Sequence, residues 1–298
     1  MRLVTYELAG NWRAGIIVDE DVVDASIAAT AADIDFDSEW VSNRQIIQLN
    51  KKQQSKLERA AWNIVNARNS DLAVFPIENA RLGPPIPDPD KIICLGLNYK
   101  SHAEEAGFKP PEVPILFAKY RNALTGPTSP IVLPKLSQEI DYEGELAVVI
   151  GKRGKDILVE NALEHVAGYM ALHDVSARDL QFRAGQWLSG KTLDTFAPCG
   201  PSLVIGEIDD PQNLNIATRI NGETLQQSNT RHMIFSVAET IAYISQLMTL
   251  EAGDIIATGT PEGVGFKRTP PIFLQPDDIV EVEVEGIGTL RNPVVRNG

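Results

Sequence analysis

Three acidic side chains in the sequence have the type and spacing to hold a metal ion. Glu143 and Glu145 lie in DYEGELAVVIG, and Asp174 follows in LHDVSARDLQ. Alternate residues of a strand share one face, so the two glutamates would project together, about 7 Å apart along the chain. Converging carboxylates repel one another unless a cation lies between them, and oxygen ligands suit Mg²⁺ or Mn²⁺. We therefore predict a divalent metal with open positions for substrate and water.

The same glutamates also fit a simpler interpretation, as the solvent-facing side of an edge strand. The acids at 281–285 alternate with valines in that way. However, Ala147 and Val149 continue the face that carries Glu143 and Glu145. A carboxylate pair on an apolar face would be buried and would need a partner. This continuation favours the metal site over the edge strand.

A second constellation is the pair His102 and Glu105 in NYKSHAEEAG. Residues spaced i, i+3 meet on one turn of a helix, and a histidine held by a carboxylate can take a proton near neutral pH. A surface histidine beside surface acids remains the alternative. The proline-rich segment that follows, GFKPPEVP, is typical of a loop that closes over a site.

Two further motifs carry groups that suit an anionic ligand. Lys191 lies between Gly190 and the apolar TLDTFAP, so it could be buried near the acids and stabilise developing negative charge. A solvated lysine is the alternative. In TGTPEGVG at 258–265 the glycines let the backbone approach a ligand, and its N–H groups can bind carboxylate oxygens. A plain turn is the alternative there.

Proline and apolar periodicity divide the chain into two parts. Residues 1–40 alternate short apolar runs with turns, which predicts a small sheet, and near-helical apolar spacing over 44–68 predicts one helix. The proline-rich segment 81–91 cannot continue a helix or a central strand. We therefore predict a small α/β N-terminal domain over 1–80 and a metal-dependent catalytic domain over 81–298.

The second part is mostly strands. EGELAVVIG, GDIIATGTP and the valines at 280–284 follow strand patterns, and Asn221-Gly222 predicts a tight hairpin turn. A capping box at 236–239 predicts the start of a helix, and a related pattern lies at 176–179. No phosphate loop or dinucleotide-binding glycine turn is present in the sequence, which argues against a Rossmann domain.

Charge and composition exclude several kinds of partner. The 298 residues carry 27 basic and 40 acidic side chains, a net charge of −13, which argues against nucleic acid and anionic membranes. No apolar run approaches the roughly 18 residues that span a bilayer, and the first residues lack a signal-peptide pattern. Cys94 and Cys199 have no metal-binding or redox spacing. We therefore expect a cytoplasmic protein with no nucleic-acid or membrane partner.

The motifs occur together in the order NYxxHxxE, DYEGELAVVIG, HDVSARDLQ, GKTLDTFAPCGP and TGTPEGVG. In this combination the chain resembles the fumarylacetoacetate hydrolase family, in the branch of acylpyruvases and hydroxymuconate-type isomerases, over about residues 85–295. The first 80 residues look like the variable N-terminal domain that many members carry. The resemblance implies an α+β fold, with a mixed β-rich roll around the metal, and a homodimer.

The resemblance also implies roles for the acidic and basic residues above. The family's Glu-x-Glu pair and later aspartate hold Mg²⁺ or Mn²⁺, and these positions match Glu143, Glu145 and Asp174. The family's His–Glu dyad, which orients and activates water, matches His102 and Glu105.

Four more positions match the family's pattern, and one departs from it. The family's lysine near the metal matches Lys191, and the glutamine that contacts substrate matches Gln181. The threonine that binds the substrate carboxylate matches Thr260, with Gly259 beside it. Asp277 stands where the family usually has glycine, in a predicted turn away from the site.

These groups suit the chemistry of 2-oxo acids. Such an acid chelates a metal through its carboxylate and keto oxygens, and the metal stabilises the enolate as a Lewis acid. Our leading prediction is a hydrolase that cleaves a C–C bond of acylpyruvates or 2,4-dioxo acids through this enolate. The alternatives on the same site are an oxaloacetate decarboxylase or tautomerase and a 2-hydroxymuconate-type isomerase. A non-catalytic oxo-acid-binding protein and a purely structural role of the acids are the other classes.

Overall fold

The structure is a computed structural model that describes residues 1–36, 38, 40–67, 74–107 and 109–296. Strands and helices alternate irregularly along the chain, which is an α+β arrangement as predicted. The strands are β1 (Arg2–Leu8), β2 (Asn11–Val18), β3 (Asp21–Asp24), β4 (Val74–Pro76), β5 (Leu82–Gly83), β6 (Ile92–Gly96), β7 (Ile115–Lys119), β8 (Leu124–Thr125), β9 (Ile131–Leu133), β10 (Ile140–Asp141), β11 (Gly144–Ile150), β12 (Val166–His173), β13 (Ser176–Ala177), β14 (Ala197–Val204), β15 (Asn215–Ile220), β16 (Glu223–Asn229), β17 (Ile255–Ala257), β18 (Ile279–Val284) and β19 (Gly288–Arg296).

Most helices are short. The α-helices are α1 (Ala25–Ala31), α2 (Asn43–Ile46), α3 (Lys51–Ala67), α4 (Lys100–Ala106), α5 (Arg178–Gln181), α6 (Leu188–Lys191) and α7 (Val237–Leu247). Single turns of 3₁₀-helix occur at Ile77–Asn79, Arg121–Ala123, Thr230–His232 and Gly265–Lys267, and a longer one at Val159–His165. Within the described residues, no helix combines the length and the apolar character needed to cross a bilayer.

One large sheet organises the molecule. Its strand order is β4-β3-β2-β1-β14-β12-β11-β17-β6-β7, with β5 and β8 paired to β1 and β14. A second sheet, ordered β16-β15-β18-β19-β9, packs beside it, and β10 pairs with β13. Strand β11 lies between β12 and β17 and is buried along its whole length.

The alternation of side chains along β11 supplies two separate cores. Leu146, Val148 and Ile150 enter the cluster that contains α7 and the second sheet. Ala147 and Val149 enter the cluster that contains α1, α3 and the first strands. Burying a large apolar side chain contributes about 1.5–3 kcal/mol, so both faces of the strand are fixed. Register is therefore strongly specified at the acidic end of β11.

The first 80 residues join the large sheet. Strand β1 pairs with β14, with Leu3 opposite Leu203, so the predicted N-terminal sheet is continuous with the strands of the catalytic part. The hydrophobic cluster under α3 also contains Ile92 and Ala257 from the later strands. The domain boundary near residue 80 stays a prediction.

The single helix predicted over 44–68 was wrong, because the chain forms α2 and α3 with a break between them. Asn50 starts the second helix: its Oδ1 accepts the Gln53 N–H at 3.0 Å, and the Gln53 Oε1 accepts the Asn50 N–H at 3.3 Å. This reciprocal cap satisfies the first turn of α3 and makes a new helix start there. Residue 68 lies outside the described residues.

Two other local predictions had different outcomes. Asn221 and Gly222 form the predicted two-residue turn between β15 and β16, both with positive φ. Helix α7 begins with the predicted capping box of Ser236 and Glu239. The pattern at 176–179 is not a cap, because α5 starts at Arg178 and the Ser176 hydroxyl donates to the Asp174 carbonyl at 2.9 Å.

The turn at Asp277 allows a prediction about stability. Asp277 has a φ of 74° and is exposed, so a side chain occupies a conformation that favours glycine. We expect Asp277→Gly to raise the free energy of unfolding by up to about 1 kcal/mol. Urea unfolding measures this difference. An equal or lower midpoint for the variant would contradict it.

Candidate metal centre

The three predicted metal ligands meet at one end of the central strands. Glu143 precedes β11, Glu145 is its second residue, and Asp174 follows β12. Because β11 and β12 are antiparallel, with Gly144 opposite His173, these positions lie side by side. One carboxylate oxygen from each residue lies within 4.8 Å of the others, and all three side chains are buried. The alternative of a solvated edge strand therefore does not hold.

Lys191 lies among these acids, as predicted. Its Nζ is 2.7 Å from Glu143 Oε2 and 2.7 Å from Asp174 Oδ2. The side chain is only 2% exposed, so it is not a solvated lysine. Burial disfavours the charged amine, but Asp174 and Glu143 outweigh burial and hold the Lys191 pKa above its usual value. Lys191 is therefore a protonated cation inside the cluster.

Lys119, at the end of β7, is a second buried cation that the sequence analysis missed. Its Nζ is 2.7 Å from Asp174 Oδ1 and donates to the Val175 carbonyl at 3.1 Å. Burial lowers the pKa of this lysine, although Asp174 opposes the shift. The sequence carried a signal for this residue. Lys119 lies on the same strand face as the apolar Ile115 and Phe117, just as Glu143 and Glu145 share a face with apolar residues.

Arg178, in the first turn of α5, is the third buried cation of the cluster and the second that the sequence analysis missed. Its guanidinium donates to Glu143 Oε1 at 2.6 Å and to Asp141 Oδ2 at 2.8 Å. A third N–H donates to Gln181 Oε1 at 2.9 Å. The i, i+3 spacing of arginine and glutamine in RDLQ was the available signal. Arg178 thus contacts both a predicted metal ligand, Glu143, and a predicted substrate-binding residue, Gln181.

The charges of this cluster leave one carboxylate without a cation. Glu145 Oε2 accepts the Gly259 N–H at 2.8 Å, and no cation of the described residues lies in ion-pair contact with it. Burial, and then Asp174 and Glu143, raise the Glu145 pKa well above its usual value. For Glu143, Lys191 and Arg178 outweigh burial and hold the pKa well below its usual range.

This arrangement fits a divalent ion. Mg²⁺ prefers oxygen ligands at about 2.1 Å in octahedral geometry, so two ligand atoms of one ion lie about 3 to 4.2 Å apart. The three carboxylate oxygens lie within 4.8 Å of one another, so binding a metal would draw them closer together. The unpaired charge of Glu145 supplies the reason for a further cation. Glu143, Glu145 and Asp174 would hold it.

His102 and Glu105 lie together on α4. His102 Nδ1 is 3.6 Å from Glu105 Oε2, and the histidine is buried rather than on the surface. Both oxygens of Glu105 lie 3.1 Å from the Gly263 N–H. Burial raises the Glu105 pKa, but His102 and the Gly263 N–H outweigh it and leave the pKa below its usual value. Glu105 is thus an anion beside the imidazole, whose buried Nδ1 has no hydrogen-bond partner among the described residues.

Buried polar contacts fix the position of α4. Just before the helix, the Asn98 amide donates to the Thr258 carbonyl at 2.8 Å and to the Phe235 carbonyl at 3.1 Å. Within it, the Ser101 hydroxyl donates to the Glu262 carboxylate. The helix is therefore tied to the loop 258–265 at its start and at Glu105. In the predicted lid that follows, Phe108 lies outside the described residues.

The remaining predicted site residues lie next to these groups. Gln181 is buried, and Gly259 reaches the predicted metal ligand Glu145 through its N–H. The Thr260 hydroxyl donates to the Gly144 carbonyl at 3.0 Å. Gly259 has a φ of 96°, and a Cβ there would lie 2.9 Å from the Asn98 Cβ, so glycine is required. Contact of these residues with substrate stays a prediction.

Gly263 offers a test of the link between the loop and the dyad. Its φ is 95°, and an added Cβ would collide with the Leu225 carbonyl oxygen. We expect Gly263→Ala to destabilise the protein by about 1–3 kcal/mol and to displace Glu105, with at least a roughly tenfold loss of turnover. Urea unfolding and a turnover assay measure the two effects.

Gly206→Ala is the matched control, because Gly206 has a φ of 72° but open space around it. It should share the backbone strain and leave turnover unchanged. Equal turnover in the two variants would contradict the proposed link.

Comparison with known proteins identifies similar chains. Residues 91–295 match the sequence model of the fumarylacetoacetate (FAA) hydrolase C-terminal domain. The oxaloacetate tautomerase FAHD2A, mitochondrial, of Bos taurus is 50% identical over 229 residues, which are 76% of this chain and 73% of that protein.

Solved structures are similar over the whole chain. A putative HpcE protein from Mycobacterium smegmatis superposes with a TM-score of 0.81 and 35% identity over 100% of both chains. Maleylpyruvate hydrolase from Sphingobium sp. SYK-6 superposes with a TM-score of 0.78 and 30% identity, also over 100% of both chains. Proteins similar to this chain thus include one named a tautomerase and one named a hydrolase.

The comparison corrects the cytoplasmic location expected from the sequence. The Bos taurus relative is named a mitochondrial protein. The expectation rested on reduced cysteines and on the lack of apolar segments. These features are shared by the cytoplasm and by other reducing compartments, so they could not distinguish between them.

Proposed function

Because the chain belongs to the fumarylacetoacetate hydrolase family, we propose that it is a divalent-metal-dependent tautomerase of 2-oxo dicarboxylates of the oxaloacetate type. The name of the Bos taurus relative supports this alternative better than the C–C hydrolysis that the sequence analysis placed first. We propose Mg²⁺ or Mn²⁺ as the metal and a homodimer as the assembly. Both proposals rest on the family resemblance.

One structural observation carries the proposal: a single loop positions both the acid cluster and a histidine–carboxylate pair. The Gly259 N–H binds Glu145, and four residues later the Gly263 N–H binds Glu105. The loop therefore holds Glu105, and with it the helix that carries His102, beside the predicted metal ligands. Keto–enol interconversion requires this combination of a group that polarises a carbonyl and a nearby base.

When bound, the metal supplies Lewis-acid polarisation of the keto oxygen. His102 then takes a proton from the carbon next to the keto group, and the resulting imidazolium is stabilised by Glu105, 3.6 Å away. Lys191 is a buried cation beside Glu143 and Asp174 and stabilises negative charge that develops on the substrate oxygen. Returning the proton to that oxygen completes the enol.

Gln181 and Arg178 orient the substrate in this scheme. Arg178 binds the Gln181 Oε1 at 2.9 Å, so the amide group of Gln181 presents its N–H donors elsewhere. Both residues are buried, so they can bind a ligand without competition from bulk water. Gln181 would thus donate to an oxygen of the 2-oxo acid.

Cleavage of a C–C bond is the second candidate, because the chain resembles maleylpyruvate hydrolase over its whole length. Product analysis separates the two. Chelator-treated protein, with Mg²⁺ or Mn²⁺ restored, is incubated with oxaloacetate, acetylpyruvate and fumarylpyruvate, and the products are identified by NMR. A tautomerase leaves the carbon skeleton of all three intact. Metal-dependent release of pyruvate from an acylpyruvate would establish the hydrolase instead.

A further inference from the structure

Gln226, on β16, contacts both the metal-ligand strand and the loop that carries Thr260. Its Oε1 accepts the Gly144 N–H at 3.0 Å, between the two glutamates of the cluster. Its Nε2 donates to Thr260 Oγ1 at 2.9 Å and to the Pro261 carbonyl at 3.0 Å. The side chain is 1% exposed. The amide oxygen therefore binds the start of β11, and the amide N–H groups bind the loop that carries Thr260.

These contacts determine what the Thr260 hydroxyl can do. A hydroxyl has one proton to donate, and that of Thr260 is donated to the Gly144 carbonyl at 3.0 Å. Gln226 donates to the same oxygen, which keeps the proton directed at Gly144. A carboxylate accepts hydrogen bonds and does not donate them. The Thr260 hydroxyl is thus not available as a donor to a carboxylate ligand.

The main chain of the same residue has a different status. Across the described residues, no acceptor forms a hydrogen bond with the Thr260 N–H. The neighbouring Gly259 N–H is already bound to Glu145. A free buried N–H costs energy unless a ligand or water binds it. Within the described residues, the backbone N–H is therefore the one donor of Thr260 that the protein leaves unpaired.

We propose that Gln226 is a positioning residue, which fixes Thr260 so that its backbone N–H, rather than its hydroxyl, receives the carboxylate of the 2-oxo acid. Through Gly144 it also sets the distance between this donor and the metal ligands Glu143 and Glu145. The inference rests on the proposed binding of 2-oxo acids. In this inference, the site recognises a carboxylate through the backbone N–H of Thr260, and the Gln226 amide holds that N–H in position.

Binding of oxalate to the Mg²⁺-loaded protein tests this assignment, because oxalate has the planar pair of oxygens of a 2-oxo acid. In Gln226→Glu the new carboxylate still accepts from Gly144 but cannot donate to Thr260 or Pro261. It also places a negative charge near the ligand. We expect the Kd of oxalate to rise roughly tenfold or more, while that of Mg²⁺ changes less than about threefold.

Thr260→Val separates the hydroxyl from the backbone. In this variant Gln226 still donates to the Pro261 carbonyl, which keeps the loop in place without the hydroxyl. If the N–H binds the ligand, the Kd of oxalate should change less than about fivefold, whereas a hydroxyl that donates to a charged ligand would cost roughly ten- to hundredfold. Asn292→Asp is the control for loss of a buried amide, since Asn292 donates to Gly126 and Ser129 away from the site. It should lower the free energy of unfolding and leave oxalate affinity unchanged.

Two results would overturn the inference: an unchanged oxalate Kd in Gln226→Glu, or a loss in Thr260→Val as large as that in Gln226→Glu. Turnover of oxaloacetate is measured on the same wild-type sample. Oxalate binding that depends on Gln226, without any turnover, would overturn the proposed function and support this inference. Wild-type protein that fails to bind oxalate in the presence of Mg²⁺ would overturn the inference itself.

Discussion

Replacing Glu145 by glutamine is expected to stabilise the metal-free protein and, at the same time, to remove most of its affinity for Mg²⁺. Glu145 is a buried carboxylate beside two others, and its pKa is raised by burial and by its neighbours Asp174 and Glu143. A neutral amide removes this repulsion and can still accept the Gly259 N–H. We expect a gain of about 1–3 kcal/mol in the free energy of unfolding.

The gain should increase with pH. A raised pKa in the folded state favours the protonated carboxyl, so Glu145 costs least at low pH and most when it is ionised. The loss of a charged ligand should weaken Mg²⁺ binding roughly a hundredfold or more. Urea unfolding in the presence of a chelator and calorimetric titration with Mg²⁺ measure the two opposite effects.

Asp174→Asn is the matched control, because Asp174 is paired with Lys191 and Lys119. Removing its charge leaves two buried cations with less compensation, so the metal-free protein should lose about 3–5 kcal/mol. Mg²⁺ affinity should fall as in Glu145→Gln. If both variants destabilise the metal-free protein equally, Glu145 is not the uncompensated ligand.

Replacing His102 by glutamine is expected to reduce turnover roughly 10²- to 10⁴-fold, because the variant has no group that takes a proton near neutral pH. Mg²⁺ and oxalate affinity should stay close to those of the wild type, since His102 is not among the clustered carboxylates that would hold the metal. Turnover kinetics and oxalate titration on the same preparation measure both properties.

His165→Gln is the control for this change. His165 lies in the 3₁₀-helix at Val159–His165 and contacts the Lys152 carbonyl at 2.9 Å, away from the cluster. Its replacement should leave turnover unchanged. Unaltered turnover in His102→Gln would exclude His102 as the base. A non-catalytic binding protein would keep oxalate affinity in both variants and have no turnover to lose.

The sequence predicted the acid cluster because the spacing in a strand and the apolar continuation of its face are local properties. Glu143, Glu145 and the residues after them specify which face is buried, and the structure places that face in the core. The same rule applied to Lys119 would have found a second lysine, although nothing along the chain indicates that β7 ends beside Asp174.

The contacts that the sequence could not predict are those made between distant segments. Gln226 reaches Gly144 and Thr260 across 82 and 34 residues, and no periodicity records such a pairing. The break between α2 and α3 depends on one reciprocal cap at Asn50, which outweighs the apolar spacing of the predicted helix. Side-chain hydrogen bonds between residues thus determined the features that apolar periodicity did not predict.

The most direct test of the account is the decay rate of enol oxaloacetate, followed by its ultraviolet absorbance after rapid mixing with the protein. With Mg²⁺ or Mn²⁺ restored, the wild type should accelerate the decay, without release of pyruvate. Chelator and His102→Gln should each abolish the acceleration. A decay equal to the uncatalysed rate, with metal-dependent cleavage of acetylpyruvate in the same preparation, would contradict the tautomerase and establish the hydrolase.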